Sequence, residues 1–579
     1  MNDGAILRFI KRVKTWLPSS QQLLYSTTLF SKKERRIIAT CLTLITVSSI
    51  WISVNQLNTH LALAPQTGGT YREGLIGQPT YLNPLLAQTS AIDTDLTRLL
   101  FSGLFRYNAA LKPVPDLADT ISMDNEKTYT ITIKQTAIWH DGEPVTIDDV
   151  VFTFERLTDP ALRSPLAQTL QGVVVERVDD KTIRFTLPEP YPAFLEILTV
   201  GIIPKHIWEE IPTDQVRQSD FNSRPIGSGP WQFSSLAKDS DGTTRSYSFV
   251  PTENTNQSGY IERLTFKFYP DETSALDALQ SRTVDGLAMI ANSDAELLAK
   301  TSRGFNRYDM QLPAITAVFF NTSQKGPLAD GRVREALNLA IDRRALVLST
   351  IVGEANVSRG PFPTNVMGTK QAADTGTVER TQAAALLDSA GWKVNDTLRS
   401  DRQGTPLSVT LTAIDRQPDR DVAQFIQQSW RTIGVDVKIN IIAPATADHV
   451  RDTVLRPRAY DALLYTIVYA ATVDPYPFWH SSQKNDPGLN LSLFENADAD
   501  TLIDRIRRSE DTAAREELFT ALRKIISDET PAIFLYSPIR QYLISHEIHG
   551  VSIPKLAIPA DRFTTLNTWY IETKRAFSR

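Results

Sequence analysis

The sequence predicts an α/β protein with two lobes, preceded by one transmembrane helix. At 579 residues the chain is too long for one hydrophobic core, so two or more lobes are expected. Strand and helix patterns alternate along it, and residues 128–157 show the clearest strand, turn and amphipathic helix. Residues 37–54 contain no charged side chain, which is typical of a membrane-spanning segment.

The charge distribution excludes some classes of partner. The formal net charge is -5, and 42% of the residues are apolar, as in ordinary globular proteins. Residues 1–36 carry eight basic against two acidic side chains, a net charge of +6, so the rest of the chain carries -11. An acidic body of this kind lacks the basic stripe of a nucleic-acid-binding protein.

The N-terminal residues predict a basic leader followed by an anchor. Residues 5–17 form a basic amphipathic pattern that suits an anionic membrane surface. The uncharged run 37–54 would span roughly 27 Å as a helix, at ~1.5 Å per residue, which is enough to cross a bilayer core. Four basic residues directly before this run place the leader in the cytoplasm by the positive-inside rule.

We therefore predict a single-pass membrane protein with a cytoplasmic leader over 1–36, an uncleaved signal-anchor over 37–56, a tether over 57–68, and a body outside the cytoplasm. The alternative is a signal peptide cleaved near Ala62-Leu63-Ala64. The single cysteine, Cys41, excludes an intramolecular disulfide. A lipoprotein role for it is disfavoured because the apolar run follows the cysteine instead of preceding it.

The stretch 128–157 combines three local signals. Apolar side chains alternate from Tyr129 to Ile133, which indicates a half-buried strand. Asp141-Gly142 supplies a turn, and Thr146 with Asp149 three residues later forms a capping box before a helical apolar stripe. We expect His140 to orient this strand-to-helix corner.

A glycine-rich loop occurs at residues 225–231, Pro-Ile-Gly-Ser-Gly-Pro-Trp. It lacks the Lys-Ser/Thr pair and the following helix of a phosphate-binding loop. It also lacks the Gly-x-Ser-x-Gly spacing of a nucleophile elbow. A structural turn is therefore the preferred interpretation.

Further elements follow in the second half of the chain. A strand is predicted over Ala314–Phe320, and Asp330 precedes a helix with a core stripe that includes Val333 and Leu337. Residues 430–437 give a helix end, a glycine cap and a strand. Residues 461–468 form another buried strand.

Five stretches in collinear order resemble the peptide-binding class of bacterial extracytoplasmic solute-binding proteins, family 5 of the substrate-binding proteins of ABC transporters. The clearest is Trp-His-Asp-Gly-Glu-Pro-Val-Thr-Ile-Asp-Asp-Val-Val-Phe-Thr-Phe-Glu-Arg-Leu, at 139–157. The resemblance extends over nearly all of residues 68–570. The other four stretches are 225–231, 321–343, 385–392 and 430–437.

This resemblance implies a periplasmic-binding-protein-like fold of type II, with two lobes hinged by two crossing strands and a subdomain inserted in the first lobe. We expect one of the crossings near Ile533–Tyr536. The predicted parts are lobe I at 69–94, 221–308 and 536–579, the inserted subdomain at 95–220, and lobe II at 309–535.

Catalysis is not predicted. The seven histidines are scattered, without a His-Glu-x-x-His motif or paired metal spacing, and one cysteine cannot build a cysteine-based metal site. His140 and Asp141 are adjacent, so in an extended strand they would face opposite ways. Asp498 and Asp500 are expected to cap a helix. We therefore expect neither an enzyme nor a cofactor.

A solute trapped between lobes needs partners for its charges, because unpaired buried charge costs several kcal/mol. The resemblance implies that an aspartate a few residues before an Asp-Pro dipeptide binds the amine of a peptide. Here the dipeptide is Asp474-Pro475 and the position three residues earlier is Ala471. This departure leaves amine recognition open, with Asp474 as a candidate to replace it and a turn-initiating role as the alternative.

Aromatic side chains near this dipeptide could form flat apolar walls for a ligand. They could equally belong to the core of the second lobe. The loop around Tyr81 and Asn83 is the candidate on the opposite lobe. The predicted ligand-binding residues are Tyr81, Asn83, Tyr469, Ala471, Asp474 and Trp479.

The predicted function is that of a membrane-anchored, extracytoplasmic solute-binding protein. It would capture an oligopeptide-like solute as a monomer, unchanged, and pass it to the permease subunits of an ABC importer. The same scaffold could bind an oligosaccharide, a metal chelate or haem instead. An anchored sensor or chaperone-like ectodomain is the alternative from another class, although a 36-residue leader is too short for a cytoplasmic signalling domain.

Overall fold

The computed structural model describes most of the chain from residue 30 onward, in two compact units. The larger unit is Thr67–Ile571, and the smaller one combines the residues up to Gln66 with those from Glu572. The predicted amphipathic helix at 5–17 lies outside the described residues. These are 30–164, 166–167, 169–191, 193–252, 259–291, 304–323, 326–351, 355–363, 378–443, 447–486, 488–509 and 511–577.

The first sheet of the larger unit has seven strands. Thr70–Ile76 pairs in parallel with Arg263–Tyr269, and the alternating burial of the latter strand places its even-numbered residues in the core. The helix Glu272–Gln280 begins where the Asp271 side chain accepts a hydrogen bond from the Ser274 amide at 2.8 Å. The strand order is Phe305–Met310, Arg540–Ser545, Gly286–Ile290, Thr70–Ile76, Arg263–Tyr269, Thr244–Pro251 and Trp231–Lys238.

The second sheet has six strands, and its central strand is buried on both faces. This strand, Ala314–Phe320, confirms the prediction from sequence. Val318 and Phe320 contribute to the core on one face, and Ile315, Ala317 and Phe319 to the core on the other. The strand order is Ala355–Val357, Ala532–Pro538, Ala314–Phe320, Ala462–Val468, Ser408–Ile414 and Asp436–Ile442.

Two connections join the sheets. One runs from Met310 to Ala314 and the other from Pro538 to Arg540. The strands on either side of these connections are neighbours in both sheets, so the two crossings lie side by side. A pair of short adjacent crossings is the arrangement that permits hinge motion between lobes. The residue boundaries of the lobes and of the inserted subdomain stay predictions.

A four-stranded sheet and a helix form the segment inserted between strands of the first sheet. The helix Ile147–Thr158 begins with the predicted capping box: the Thr146 amide donates to Asp149 Oδ2 at 2.7 Å, and the Asp149 amide to Thr146 Oγ1 at 3.4 Å. Asp149 Oδ1 also accepts from the Lys205 amide at 2.7 Å, which ties the helix start to a second segment. The sheet order is Ala118–Asp124, Thr128–Ile133, Thr182–Thr186 and Val174–Arg177.

The remaining elements pack around these sheets. Two strand pairs are Phe105–Tyr107 with Pro113–Pro115, and Lys393–Asn395 with Leu398–Ser400. The other α-helices are Ala91–Leu100, Phe194–Ile197, Lys205–Trp208, Gly331–Leu339, Arg343–Thr350, Arg380–Ser389, Asp419–Arg431, Ala447–Val450, Tyr476–Trp479, Ala497–Arg508 and Thr512–Glu529. Short 3₁₀ turns lie at Ala87–Thr89, Thr213–Gln218, Asp220–Asn222, Pro327–Ala329, Ser481–Gln483 and Pro559–Thr568, and a π-helical turn at Arg451–Leu455.

The smaller unit contains the long helix Lys32–His60, whose segment Lys32–Ile52 is long and apolar enough to cross a membrane. The helix continues into the strand Leu61–Gln66, which pairs antiparallel with Glu572–Phe577. Part of the predicted tether is therefore a strand. Its partner lies more than 500 residues away in the chain, so local sequence patterns could not indicate the pairing.

Candidate functional site

The loop that follows the strand Ala462–Val468 faces the inserted segment across the boundary between the two sheets. It starts at Tyr469, whose amide donates to the Pro313 carbonyl at 2.8 Å beside the first crossing. Ala471 is buried in a small apolar cluster with Tyr107, Leu111 and Ala557, which all come from the other side of the boundary. This loop therefore lies at the boundary between the two sheets, and its contact with a ligand stays a prediction.

Glu196 reaches this loop from the short helix Phe194–Ile197. Its Oε2 accepts hydrogen bonds from the Tyr107 hydroxyl at 3.1 Å and from the Thr472 backbone amide at 3.3 Å. Burial raises the pKa of Glu196, and the hydrogen bonds from Thr472 and Tyr107 oppose the rise. Burial beside this carboxylate also raises the pKa of Tyr107, which stays a hydroxyl donor.

Asp474 is held by an ion pair and by the backbone of its own loop. Its Oδ1 accepts from the Tyr476 amide at 3.0 Å, and its Oδ2 lies 3.2 Å from Arg507 Nε. The carboxylate is 15% exposed, and burial raises its pKa while the Arg507 charge opposes the rise. The hydrogen bond from the Tyr476 amide corresponds to the turn-initiating role of Asp474. The ion pair with Arg507 gives the same side chain a second role.

Aromatic and basic side chains complete the wall around Asp474. The Arg507 guanidinium lies 4.3 Å from the ring centre of Tyr476 and 5.1 Å from that of Tyr191, a residue of the inserted segment. Arg515 donates to the Val473 carbonyl at 2.9 Å. Further out, Arg508 pairs with Glu189 at 2.9 Å, with both side chains more than half exposed.

Two cavities lie close to this wall. One of about 10 Å³ is lined by Tyr191, Ala193, Thr472, Asp474, Ile506, Arg507 and Arg515, and its size suits a single water molecule. The other, about 120 Å³, lies beside Tyr107 and includes Arg98, Arg106, Asp116 and Asn567 in its lining. Ligand pockets usually measure roughly 300–1,000 Å³. Neither of these two cavities is large enough to hold a peptide.

The structure brings three of the predicted ligand-binding residues together in one loop: Tyr469, Ala471 and Asp474. Tyr469 is buried, with its hydroxyl donating to the Pro361 carbonyl at 2.7 Å and accepting from Trp479 Nε1 at 3.1 Å. Trp479 is also buried, in the core beneath the loop. Both aromatic side chains thus support the loop from behind, and their contact with a ligand stays a prediction.

Tyr81 and Asn83 lie between the strand Thr70–Ile76 and the helix Ala91–Leu100. The backbone amide of Tyr81 donates to Asp93 Oδ2 at 3.0 Å, and its ring lies 5.5 Å from the Arg217 guanidinium. Asn83 is fully buried, and its Oδ1 accepts from the Leu85 amide at 3.0 Å, which closes a turn. Their proposed contact with a ligand also stays a prediction.

Reasoning from sequence missed Tyr107, Tyr191 and Glu196. They precede the loop by more than 270 residues, so no local pattern connects them to it. One signal was available: Glu196 is the only charged residue in the mostly apolar run 191–200. A lone carboxylate in such a run requires a polar partner when the run is buried.

His140 has a structural role, as predicted. Its Nδ1 accepts from the Gly227 amide at 3.1 Å, its Nε2 faces the Gly229 carbonyl at 3.1 Å, and its own amide donates to the Gly227 carbonyl at 2.8 Å. Burial lowers the pKa of His140, which favours the neutral ring that this bonding pattern requires. Within the described part of the chain, no three His, Cys, Asp or Glu side chains are placed to hold a metal ion.

Comparisons with known proteins agree with this geometry. Residues 112–489 match the family model described as bacterial extracellular solute-binding proteins, family 5, middle. The oligopeptide-binding protein AppA of Bacillus subtilis is 27% identical over 540 residues, covering 90% of this chain and 96% of AppA. The probable D,D-dipeptide-binding periplasmic protein DdpA of Escherichia coli is 26% identical over 436 residues, covering 74% and 79%.

Solved structures share the fold. The structure of Bacillus subtilis AppA in complex with a nonapeptide superposes with a TM-score of 0.72 at 25% identity, covering 88% of this chain and all of AppA. The substrate-binding protein CtaP of Listeria monocytogenes gives a TM-score of 0.74 at 24% identity, covering 87% of this chain and all of CtaP. The mixed α/β architecture is therefore the periplasmic-binding-protein-like fold that the sequence predicts.

Proposed function

The chain belongs to the bacterial extracellular solute-binding proteins of family 5, and on this basis we propose that it captures an oligopeptide and delivers it to the permease of an ABC importer. Proteins of this family bind solutes for ABC transporters and are not enzymes. The nature of the solute, the membrane anchor and the partner permease are the parts that we propose.

The proposal is supported by the position of the loop 469–475 at the boundary between two sheets that two short crossings join. Residues of both lobes meet there, and the crossings at Met310–Ala314 and Pro538–Arg540 allow the lobes to part and close again. Closure would bury a solute between them, and the closed form would present both lobes to the permease. No chemical step is needed.

A peptide fits the chemistry of the cleft better than an uncharged solute. Arg507, Asp474 and Glu196 meet at the wall from the two sides of the boundary, where they could pair with the termini of a zwitterion. The rings of Tyr107 and Tyr191 lie beside them and could contact side chains of the peptide. AppA, which is similar over most of its length, binds oligopeptides. We keep Ala471 and Asp474 as proposed ligand contacts.

We expect direct peptide binding by the purified full-length chain. A Kd near 1 μM, about −8 kcal/mol, would suit uptake. At a hundredfold excess over Kd the ligand should stabilise the protein by about 2.7 kcal/mol, so the melting temperature should rise. A thermal-shift screen with peptides, oligosaccharides and a metal–histidine complex, followed by calorimetry, measures this. A shift with an oligosaccharide or the complex, and with no peptide, would contradict the proposed solute.

We further propose that the N-terminal helix stays attached as a membrane anchor. Signal cleavage after Ala64 would remove Leu61–Ala64, four of the six residues that pair with Glu572–Phe577. Retention of the helix keeps this ribbon intact. The helix segment Lys32–Ile52 is long enough to cross the bilayer.

The expected result is that protein extracted from membranes has the intact mass of the uncleaved chain. The matched control is Ala64→Phe, which removes the small residue that a signal peptidase requires. Both proteins should retain the N-terminal segment and stay in the membrane fraction. A wild-type mass that starts at Pro65, with an Ala64→Phe mass that does not, would establish cleavage instead.

A further inference from the structure

We propose that Glu196 is the specificity-determining carboxylate of the cleft and binds the primary ammonium group of the solute. The inference rests on the proposed function, because it names the group in the protein that recognises one end of a peptide-like ligand. Such a role is distinct from that of Asp474, which already has a cationic partner in Arg507.

The hydrogen-bond partners of Glu196 are neutral donors. Oε2 is oriented by two donors, the Tyr107 hydroxyl and the Thr472 amide, one from each side of the cleft. A hydrogen bond from the Thr472 side chain also lowers the pKa of Glu196. Among the residues that the structure describes, no Lys, Arg or His nitrogen lies within 4.0 Å of either oxygen. Neutral donors thus fix the side chain without neutralising it.

The three acids at this wall differ in their partners. Glu189 pairs with Arg508 and is more than half exposed, and Asp474 pairs with Arg507. Glu196 is half-buried, and burial raises its pKa more than the more distant charge of Arg515 lowers it. A carboxylate in such a place is stabilised by any cation that the cleft admits.

The space near Glu196 admits only a compact group. The cavity of about 10 Å³ borders Ala193, one turn before Glu196, and Thr472, which donates to Glu196, and its wall also contains Asp474, Arg507 and Arg515. A primary ammonium group is close in size to a water molecule and presents three donors. The apolar cluster of Ala471 with Tyr107, Leu111 and Ala557 lies beside Glu196 and contains no charged group that could pair with a second charge on the solute.

The test compares one peptide with its N-acetylated form on the full-length protein. Wild-type protein should bind the free-amine form about tenfold to a hundredfold more tightly, as expected for a charge-assisted hydrogen bond. Glu196→Gln keeps the shape and can still accept from Tyr107 and Thr472. This variant should bind both forms with similar affinity, at a level near that of wild type for the acetylated peptide. Calorimetry gives both constants, and circular dichroism confirms folding.

The control variant is Glu189→Gln, which neutralises an exposed acid of the same segment and should leave the preference unchanged. If wild-type protein binds no peptide, the proposed function fails. If it binds peptides but does not distinguish the acetylated form, or if Glu196→Gln keeps the wild-type preference, the inference fails alone. An equal loss for both peptides in Glu196→Gln would assign the residue to lobe closure and would also overturn the inference.

Discussion

Replacement of Arg562 by methionine is expected to lower the free energy of unfolding by about 3–5 kcal/mol. Arg562 is fully buried, and its Nη2 lies 3.0 Å from Glu73 Oε1 and 2.6 Å from Asp95 Oδ2. Methionine fills similar volume but leaves two buried carboxylates without a cation. An uncompensated buried charge costs far more than the lost packing.

The network around Arg562 joins three distant parts of the chain. Glu73 lies on the strand Thr70–Ile76, Asp95 on the helix Ala91–Leu100, and Arg562 near the C-terminus. The hydroxyls of Tyr71 and Tyr542 donate to Glu73 Oε2 at 2.5 and 2.8 Å. Loss of Arg562 would therefore weaken the contacts that hold together the strand Thr70–Ile76, the helix Ala91–Leu100 and the segment Pro559–Thr568.

The pH dependence of the loss follows from the carboxyl groups. Burial raises the pKa of Glu73 and Asp95, and the charge of Arg562 opposes the rise. Without Arg562 the pKa of both groups in the folded state should rise further above the unfolded value. The destabilisation caused by the two unpaired carboxylates is absent at low pH, where both groups are protonated in the folded and in the unfolded protein. It grows as the pH rises through the pKa that these groups have in the unfolded protein. The deficit of the variant should be largest near neutral pH and should shrink in mild acid.

Urea unfolding of wild type and variant at neutral and acidic pH measures this difference. The matched control is Arg508→Met, which breaks the exposed pair with Glu189 and should cost less than about 1 kcal/mol. Equal losses in the two variants would show that the buried network contributes no more than a surface pair. A loss for Arg562→Met that does not change with pH would assign it to packing alone.

Local signals in the sequence predicted the elements that depend on neighbouring residues. The capping box of Thr146 and Asp149 and the strand Ala314–Phe320 appear where they were expected. A cap requires partners three residues apart, and a doubly buried strand requires a continuous apolar run. Both requirements are visible in a short window of sequence.

Contacts between distant segments could not be predicted in this way. The approach of Glu196 to Thr472 spans 276 positions, and the Glu73–Arg562 pair spans 489. Nothing in either neighbourhood specifies the partner, because only the complete fold brings the segments together. The resemblance to a family directed attention to the loop before Asp474-Pro475, but the partners of its side chains depend on residues that differ here, such as Ala471.

The strand-to-helix corner at His140 depends both on neighbouring residues and on a contact with a distant segment. The strand-to-helix corner and the loop 225–231 were each predicted as structural, and the fold joins them. The Gly227 amide and the two glycine carbonyls bond to His140, and the Gly229 amide donates to the Leu100 carbonyl at 2.8 Å. The loop thus fills the space between the corner and the end of the helix Ala91–Leu100.

Gly227→Ala should therefore be strongly destabilising, by more than about 3 kcal/mol, because the site has no room for a methyl group. A Cβ at Gly227 would lie 1.9 Å from the Leu100 carbonyl oxygen and 2.8 Å from its carbon, both parts of the backbone. The matched control is Gly360→Ala, where a Cβ would meet no atom within 4 Å. Thermal unfolding should separate the two variants clearly. Similar melting temperatures would mean that the loop can move away from the helix end, so that the His140 contacts do not hold it rigidly.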